Sequence, residues 1–302
     1  MKADGAALLR AMPWVFVLIW STGFVVARLG MPHAGPMGFL AWRYGLSIVA
    51  FLLWIRWARA PWPQGRAQWA HLGVTGVLMH AGYLGGVWVA VKGGLGAGLA
   101  ALVVGLQPVL TAVWMSARAG SHRVSSRQWL GLLMGLAGLA LVVGQKLQLG
   151  AATAATVGWA VLALFSITAG TLYQKRWLQP CDVRSANAVQ LLAALLVTLP
   201  LALLESEAMQ LHPHLLLAMA WSVLVLTLGG SSLLYLLIQR GAATSVASLM
   251  YLVPPCAALM AWVLFDEPLT AAVLAGLALT ALGVAIVMRA RVPPATPSRA
   301  GL

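Results

Sequence analysis

Acidic residues are almost missing from this chain: Asp and Glu together number 6 among 302 residues. Asp4 lies near the N-terminus, Asp182 between two apolar stretches, Glu205 and Glu207 between two others, and Asp266 and Glu267 close to the C-terminal end of another. None falls midway along an apolar stretch, which excludes the buried carboxylate proton carrier common in pumps. Charged residues of both signs make up only 8%, against roughly 25% for a soluble domain. Cysteine is scarce too. Cys181 and Cys256 have the spacing of neither a metal site nor a redox motif, so no disulfide is expected. Asp-rich motifs are absent, and so is a nucleophile beside a base, which argues against an enzyme embedded in a membrane. The net charge of +13 does not imply nucleic acid, because no soluble segment is large enough to dock a duplex. Neither a cofactor nor a metal is expected.

What the chain has in quantity is apolar sequence: 61% of its residues are hydrophobic. Stretches long enough to cross a bilayer as helices, about 18–25 residues, fall near 12–30, 36–56, 69–91, 97–117, 128–145, 156–176, 185–204, 214–238, 245–265 and 271–289. The expected fold is therefore an all-α integral membrane protein of ten transmembrane helices. Residues 13–30 read as a retained helix rather than a signal peptide. Residues 291–302 read as a disordered tail.

The first five stretches resemble the last five. Gly94, Pro108, Gly131 and Gly138 answer to Gly241, Pro255, Gly276 and Gly283, with equal internal spacings. This divides the chain into a first five-helix repeat, 1–147, and a second, 148–290. Five is odd, so the second repeat enters the membrane upside down. Inverted repeats place a solute site near the midplane, between the halves. With the N-terminus inside, 15 of the 19 Lys and Arg residues fall on the cytoplasmic side. Such a bias puts both termini in the cytoplasm, as expected for a multi-pass protein of the cell inner membrane. Trp57, Trp62, Trp69, Trp129 and Trp177 fall at span ends on that side, as interface anchors do. Small residues are dense in the fifth and tenth spans, around Gly131, Gly135, Gly138, Gly276 and Gly283. They point to close helix packing, and this edge is where a homodimer contact would lie.

Several polar and aromatic residues lie deep enough to meet a solute. His80 is halfway along the third stretch, and Tyr83, Val87 and Trp88 share its helical face. The alternative for His80 is a hydrogen bond to a neighbouring carbonyl. Thr227, Ser231 and Tyr235 make a polar stripe on the eighth stretch, extended by Ser248 and Tyr251 on the ninth. These are either ligand contacts or glue between helices. Trp20, Ser21 and Trp159 come from the first and sixth stretches and suit an aromatic or amphipathic ligand, with lipid-facing packing as the other reading. Arg43 needs an anion. A structural or gating bridge to Asp266 or Glu267 is the favoured reading, over a substrate carboxylate. Pro108, Pro254 and Pro255 kink their helices, with Gln107 beside the first kink.

With these residues in view, the chain resembles the EamA-type ten-helix members of the drug/metabolite transporter superfamily over about residues 12–289. The carriers of the resemblance are Trp20-Ser21-Thr22-Gly23-Phe24-Val25-Val26-Ala27-Arg28, Leu40-Ala41-Trp42-Arg43-Tyr44, Pro108 and Pro255, Asp266-Glu267-Pro268-Leu269, and the glycines of the fifth and tenth spans. The resemblance implies export of amino acids or small metabolites from the cytoplasm by alternating access. Aromatic lining favours aromatic or large apolar amino acids. The missing mid-membrane acid favours facilitative transport, unless His80 carries a proton. Efflux of drugs or cationic xenobiotics is the alternative. One departure is visible: Ser116-Ala117-Arg118-Ala119-Gly120, after the fourth span, lacks the carboxylate found after the ninth. The partners implied are a small-molecule substrate and the lipid bilayer.

Overall fold

The computed structural model describes residues 2–118, 126–148, 150, 152–230, 233 and 252–289, and among these every regular element is helical. The helices are α1 (Lys2–Gly30), α2 (Pro36–Ala58), α3 (Arg66–Lys92), α4 (Ala97–Val104), α5 (Gln107–Arg118) and α6 (Ser126–Gln148). They continue with α7 (Ala154–Trp177), α8 (Val183–Leu204), α9 (Pro213–Gly230), α10 (Val253–Phe265) and α11 (Ala271–Arg289). Seven of the described helices are long and apolar enough to cross a membrane. Three shorter apolar helices accompany them, at Ala97–Thr111, Val253–Phe265 and Ala271–Ile286.

The fourth expected span is broken. The helix halts at Gly105 and Leu106 and restarts at Gln107, with Pro108 in the new first turn. Proline is tolerated there because the first turn's N–H groups have no partner inside the helix. Pro254 likewise sits in the first turn of α10. The break in the fourth span lies against this turn: a Cβ on Gly105 would lie 2.6 Å from Pro254 Cγ.

Packing follows the duplication. α2 packs along α8, α4 on α10, and α6 on α11, each pairing a helix with its counterpart in the other half. The register agrees, since α2 and α8 begin 147 residues apart, and so do α3 and α9. Backbones touch where glycine allows it. A Cβ on Gly138 would come 2.6 Å from the Gly276 carbonyl oxygen, and one on Gly86 would come 2.8 Å from that of Trp159.

The molecule has two apolar surfaces. Phe16, Phe39, Tyr44, Phe51 and Trp88 are fully buried between helices, while Trp42, Leu53, Phe165, Leu196, Val263 and Leu282 are exposed on the outside of the bundle. A soluble protein rarely shows so much contiguous outward apolar surface, and lipid is the solvent that suits it.

The scarce acids cap helices. Glu205 accepts from the backbone N–H groups of Met37 and Gly38 at 2.9 and 2.8 Å, at the start of α2. Glu267 accepts from the Ala97 N–H at 2.9 Å, at the start of α4. Carboxylates at N-terminal turns satisfy orphan donors and meet the positive end of the helix dipole. Asp182 caps α8, accepting from Arg184 N at 2.9 Å. The Arg184 side chain beside it holds its carboxyl below the usual aspartate range. Both cysteines are free thiols.

Candidate functional site

Between the halves, α1, α2, α3, α7 and α9 line a cavity of about 90 Å³. α1 contributes Trp20, Gly23 and Phe24, and α2 contributes Arg43. The face of α3 carrying His80, Tyr83, Val87 and Trp88 forms the longest wall, with Met79 and Leu84 beside it. The second half closes it with Ile167 from α7 and Leu226 and Thr227 from α9.

Two of these helices are unwound in the same way. α3 passes through a π-helical turn at Val77–Gly82, and α9 through a longer one at Trp221–Gly230. A π turn shifts the hydrogen bond one residue further back and is often found at functional sites. His80 and Thr227 lie in these turns, 147 positions apart, the offset that relates the helix starts. In the widened coil of α9, the Ser222 carbonyl, five residues back, accepts from the Thr227 hydroxyl at 2.8 Å. On α3, the His80 carbonyl accepts from the Tyr44 hydroxyl at 2.9 Å.

Arg43 of α2 reaches across to α9, where its Nε and Nη2 donate to Thr227 Oγ1 at 3.4 and 3.2 Å. Gln190 of α8, offset from Arg43 by the same 147 positions, packs its backbone against Gly76, just before the π turn of α3.

The electrostatics are one-sided. Arg43 is 6% exposed, and its guanidinium lies 5.5 Å from the centre of the Trp88 ring. Its Nη1 has no hydrogen-bond partner, and neither does Trp88 Nε1. Among the described lining residues there is no carboxylate. A buried cation with a free donor, an indole N–H without an acceptor and apolar walls make a place for an anionic group attached to an apolar body.

His80, Tyr83, Trp88, Trp20 and Thr227 thus come together as the sequence suggested. Ser21 does not line the cavity: it is fully buried and its hydroxyl donates to its own helix, to the Val17 carbonyl at 2.7 Å. Trp159 is 43% exposed on the outer surface, because Gly86 of α3 packs against its backbone and turns the ring outward. Gln107 donates to Thr171 Oγ1 at 2.9 Å, tying α5 to α7 away from the cavity. Asp266 and Glu267 do not pair with Arg43. Glu267 is engaged in capping α4, and Asp266 ends α10 in a left-handed turn at φ 53°. Arg43 is accordingly a cavity residue. Ser231, Tyr235, Ser248 and Tyr251 lie outside the described residues. Sequence reasoning missed Phe24, Met79 and Leu226, which look like ordinary core residues.

Comparison with known proteins agrees with this geometry. The family model described as the EamA-like transporter family matches twice, over residues 11–144 and 154–289. A probable amino-acid metabolite efflux pump of Salmonella typhimurium is 25% identical over 281 residues, 89% of this chain and 91% of its own length. A protein of the same description from Escherichia coli is 24% identical over 282 residues, with 89% and 91% covered. A solved crystal structure shares the fold at a TM-score of 0.64 and 20% identity, over 93% of this chain and 97% of its own.

Proposed function

The chain belongs to the EamA-like transporter family and is a multi-pass membrane transporter rather than an enzyme, and from that premise we propose that it exports amino acids by alternating access. The observation that carries this reading is the buried, partnerless Nη1 of Arg43, a residue that lines a cavity with no carboxylate among its described lining residues. Arg43 and the Trp88 N–H hold the substrate carboxylate, and Trp20, Phe24 and Leu226 pack its side chain. Large apolar and aromatic amino acids are favoured. The names of the two efflux-pump relatives support the class of solute.

Ten spans in two inverted halves, divided between residues 147 and 148 and followed by a tail from 291, give the cavity walls that can rock against each other. The excess of Lys and Arg supports an inner-membrane protein with both termini in the cytoplasm. In that orientation the 31–35 and 205–212 connections face outward. Transport runs down the substrate gradient, since the described walls of the cavity offer no carboxylate to carry a proton.

The test is uptake into liposomes of a labelled amino-acid panel, together with the decarboxylated amine of each substrate. Saturable uptake of large apolar amino acids, with the amines excluded, is the expected result. Arg43→Ala should weaken apparent affinity by the worth of a charge-assisted hydrogen bond, about 1.5–3 kcal/mol, or roughly ten- to a hundredfold. Arg43→Lys should recover part of it. Uptake of the amines or of cationic drugs in place of the amino acids would sink the reading.

A further inference from the structure

Three imidazoles meet at the end of the bundle that carries the 31–35 and 205–212 connections. His33 belongs to the short 3₁₀ turn after α1 (Met31–His33), His212 is the N-cap of α9, and His214 lies in the first turn of α9. Their ligating nitrogens all lie within 4.8 Å of one another. The rings of His33 and His212 stack at 3.9 Å and 14°, and His214 stands edge-on to His212 at 4.8 Å and 71°.

The backbone holds this cluster in place. The Gln210 N–H donates to the His33 carbonyl at 2.9 Å, fastening one connection to the other. Lys92 donates to the Met31 and Ala34 carbonyls at 2.8 and 3.3 Å and pairs with Glu207. That ion pair offsets the nearby ammonium charge. His212 Nδ1 accepts from the His214 N–H at 3.2 Å, which leaves Nε2 available. His33 and His212 are half-buried and His214 is exposed. None of the three lines the cavity.

We propose that His33, His212 and His214 form a binding site for a divalent first-row transition metal, with zinc as the physiological candidate. Imidazole suits zinc, and three histidines leave a fourth tetrahedral position for water. His33 comes from the first half of the chain and the other two from the second, so the bound ion ties the halves together at this end.

The experiment uses the full chain purified with a tag that contains no histidine, held in detergent and stripped of metal with a chelator. Cobalt(II) is the probe, read by its visible d–d bands and then displaced by zinc. The wild type should show saturable tetrahedral bands at a single equivalent, lost on adding zinc. His33→Ala and His212→Ala should each abolish the bands, while His71→Ala keeps them. Zinc should also raise the melting temperature of the wild type, as a ligand of the folded state does, but not that of either loop variant. Absence of saturable bands in the wild type overturns the proposal. So do bands that survive both loop substitutions.

Discussion

A guanidinium taken out of water must recover its solvation from the protein, and Arg43 recovers only part of it. Thr227 takes two of its N–H groups and the Trp88 ring faces its charge, yet Nη1 is left over. Leaving a buried charged donor unmade is costly, so the free donor reads as reserved for a ligand. Thr227 sets the angle at which that donor is offered, because its single hydroxyl also donates to Ser222. Thr227→Val keeps the shape and removes the bridge. It should raise KM for the carboxylate substrate about tenfold, the worth of roughly 1.4 kcal/mol, and change kcat less. Thr227→Ser should restore KM. An unchanged KM in Thr227→Val would show that Thr227 does not position Arg43.

Among the elements, α6 and α11 form the closest pair, and glycine is the reason. Gly138 and Gly276 meet so tightly that a Cβ on either would lie 2.6 or 2.7 Å from the other's carbonyl oxygen. Membrane helices gain no hydrophobic drive from pairing, so this close van der Waals contact is what holds them. Gly276→Leu forces the backbones apart, and overpacking of this kind costs about 1–3 kcal/mol. The melting temperature in detergent should fall, while KM of the protein that remains folded stays near the wild-type value, because neither helix lines the cavity. A large change in KM without a fall in melting temperature would tie this pair to the transport site instead. By contrast, α3 and α9 spend helical regularity on the site itself, through the π turns that carry His80 and Thr227.

At the scale of the whole molecule, the duplication builds the cavity from two sets of walls, with Arg43–Thr227 as a crossing tie between halves. That tie must break and re-form if the halves rock. With no carboxylate on the described walls, uptake of the substrate should be indifferent to an imposed pH gradient. Liposomes with equal substrate and opposite gradients measure this directly. Dependence on the gradient that disappears in His80→Gln would make His80 a proton carrier and overturn the facilitative reading.

The residues alone determined that this chain lives in lipid, is built twice over, and keeps its acids off mid-membrane. Each follows from composition or spacing, which needs no contacts. The face of α3 was legible for the same reason: His80, Tyr83, Val87 and Trp88 repeat at helical intervals. Tertiary structure alone decided which way the others point. Ser21 and Trp20 are neighbours in sequence, yet one turns into its own helix and the other into the cavity. Trp159 faces outward because Gly86 claims its backbone. Arg43 found a hydroxyl and an indole rather than Glu267, because that carboxylate was already committed to the start of α4. Pairing between charges and partners far apart in sequence depends on how helices cross, and helix periodicity carries no information about crossing.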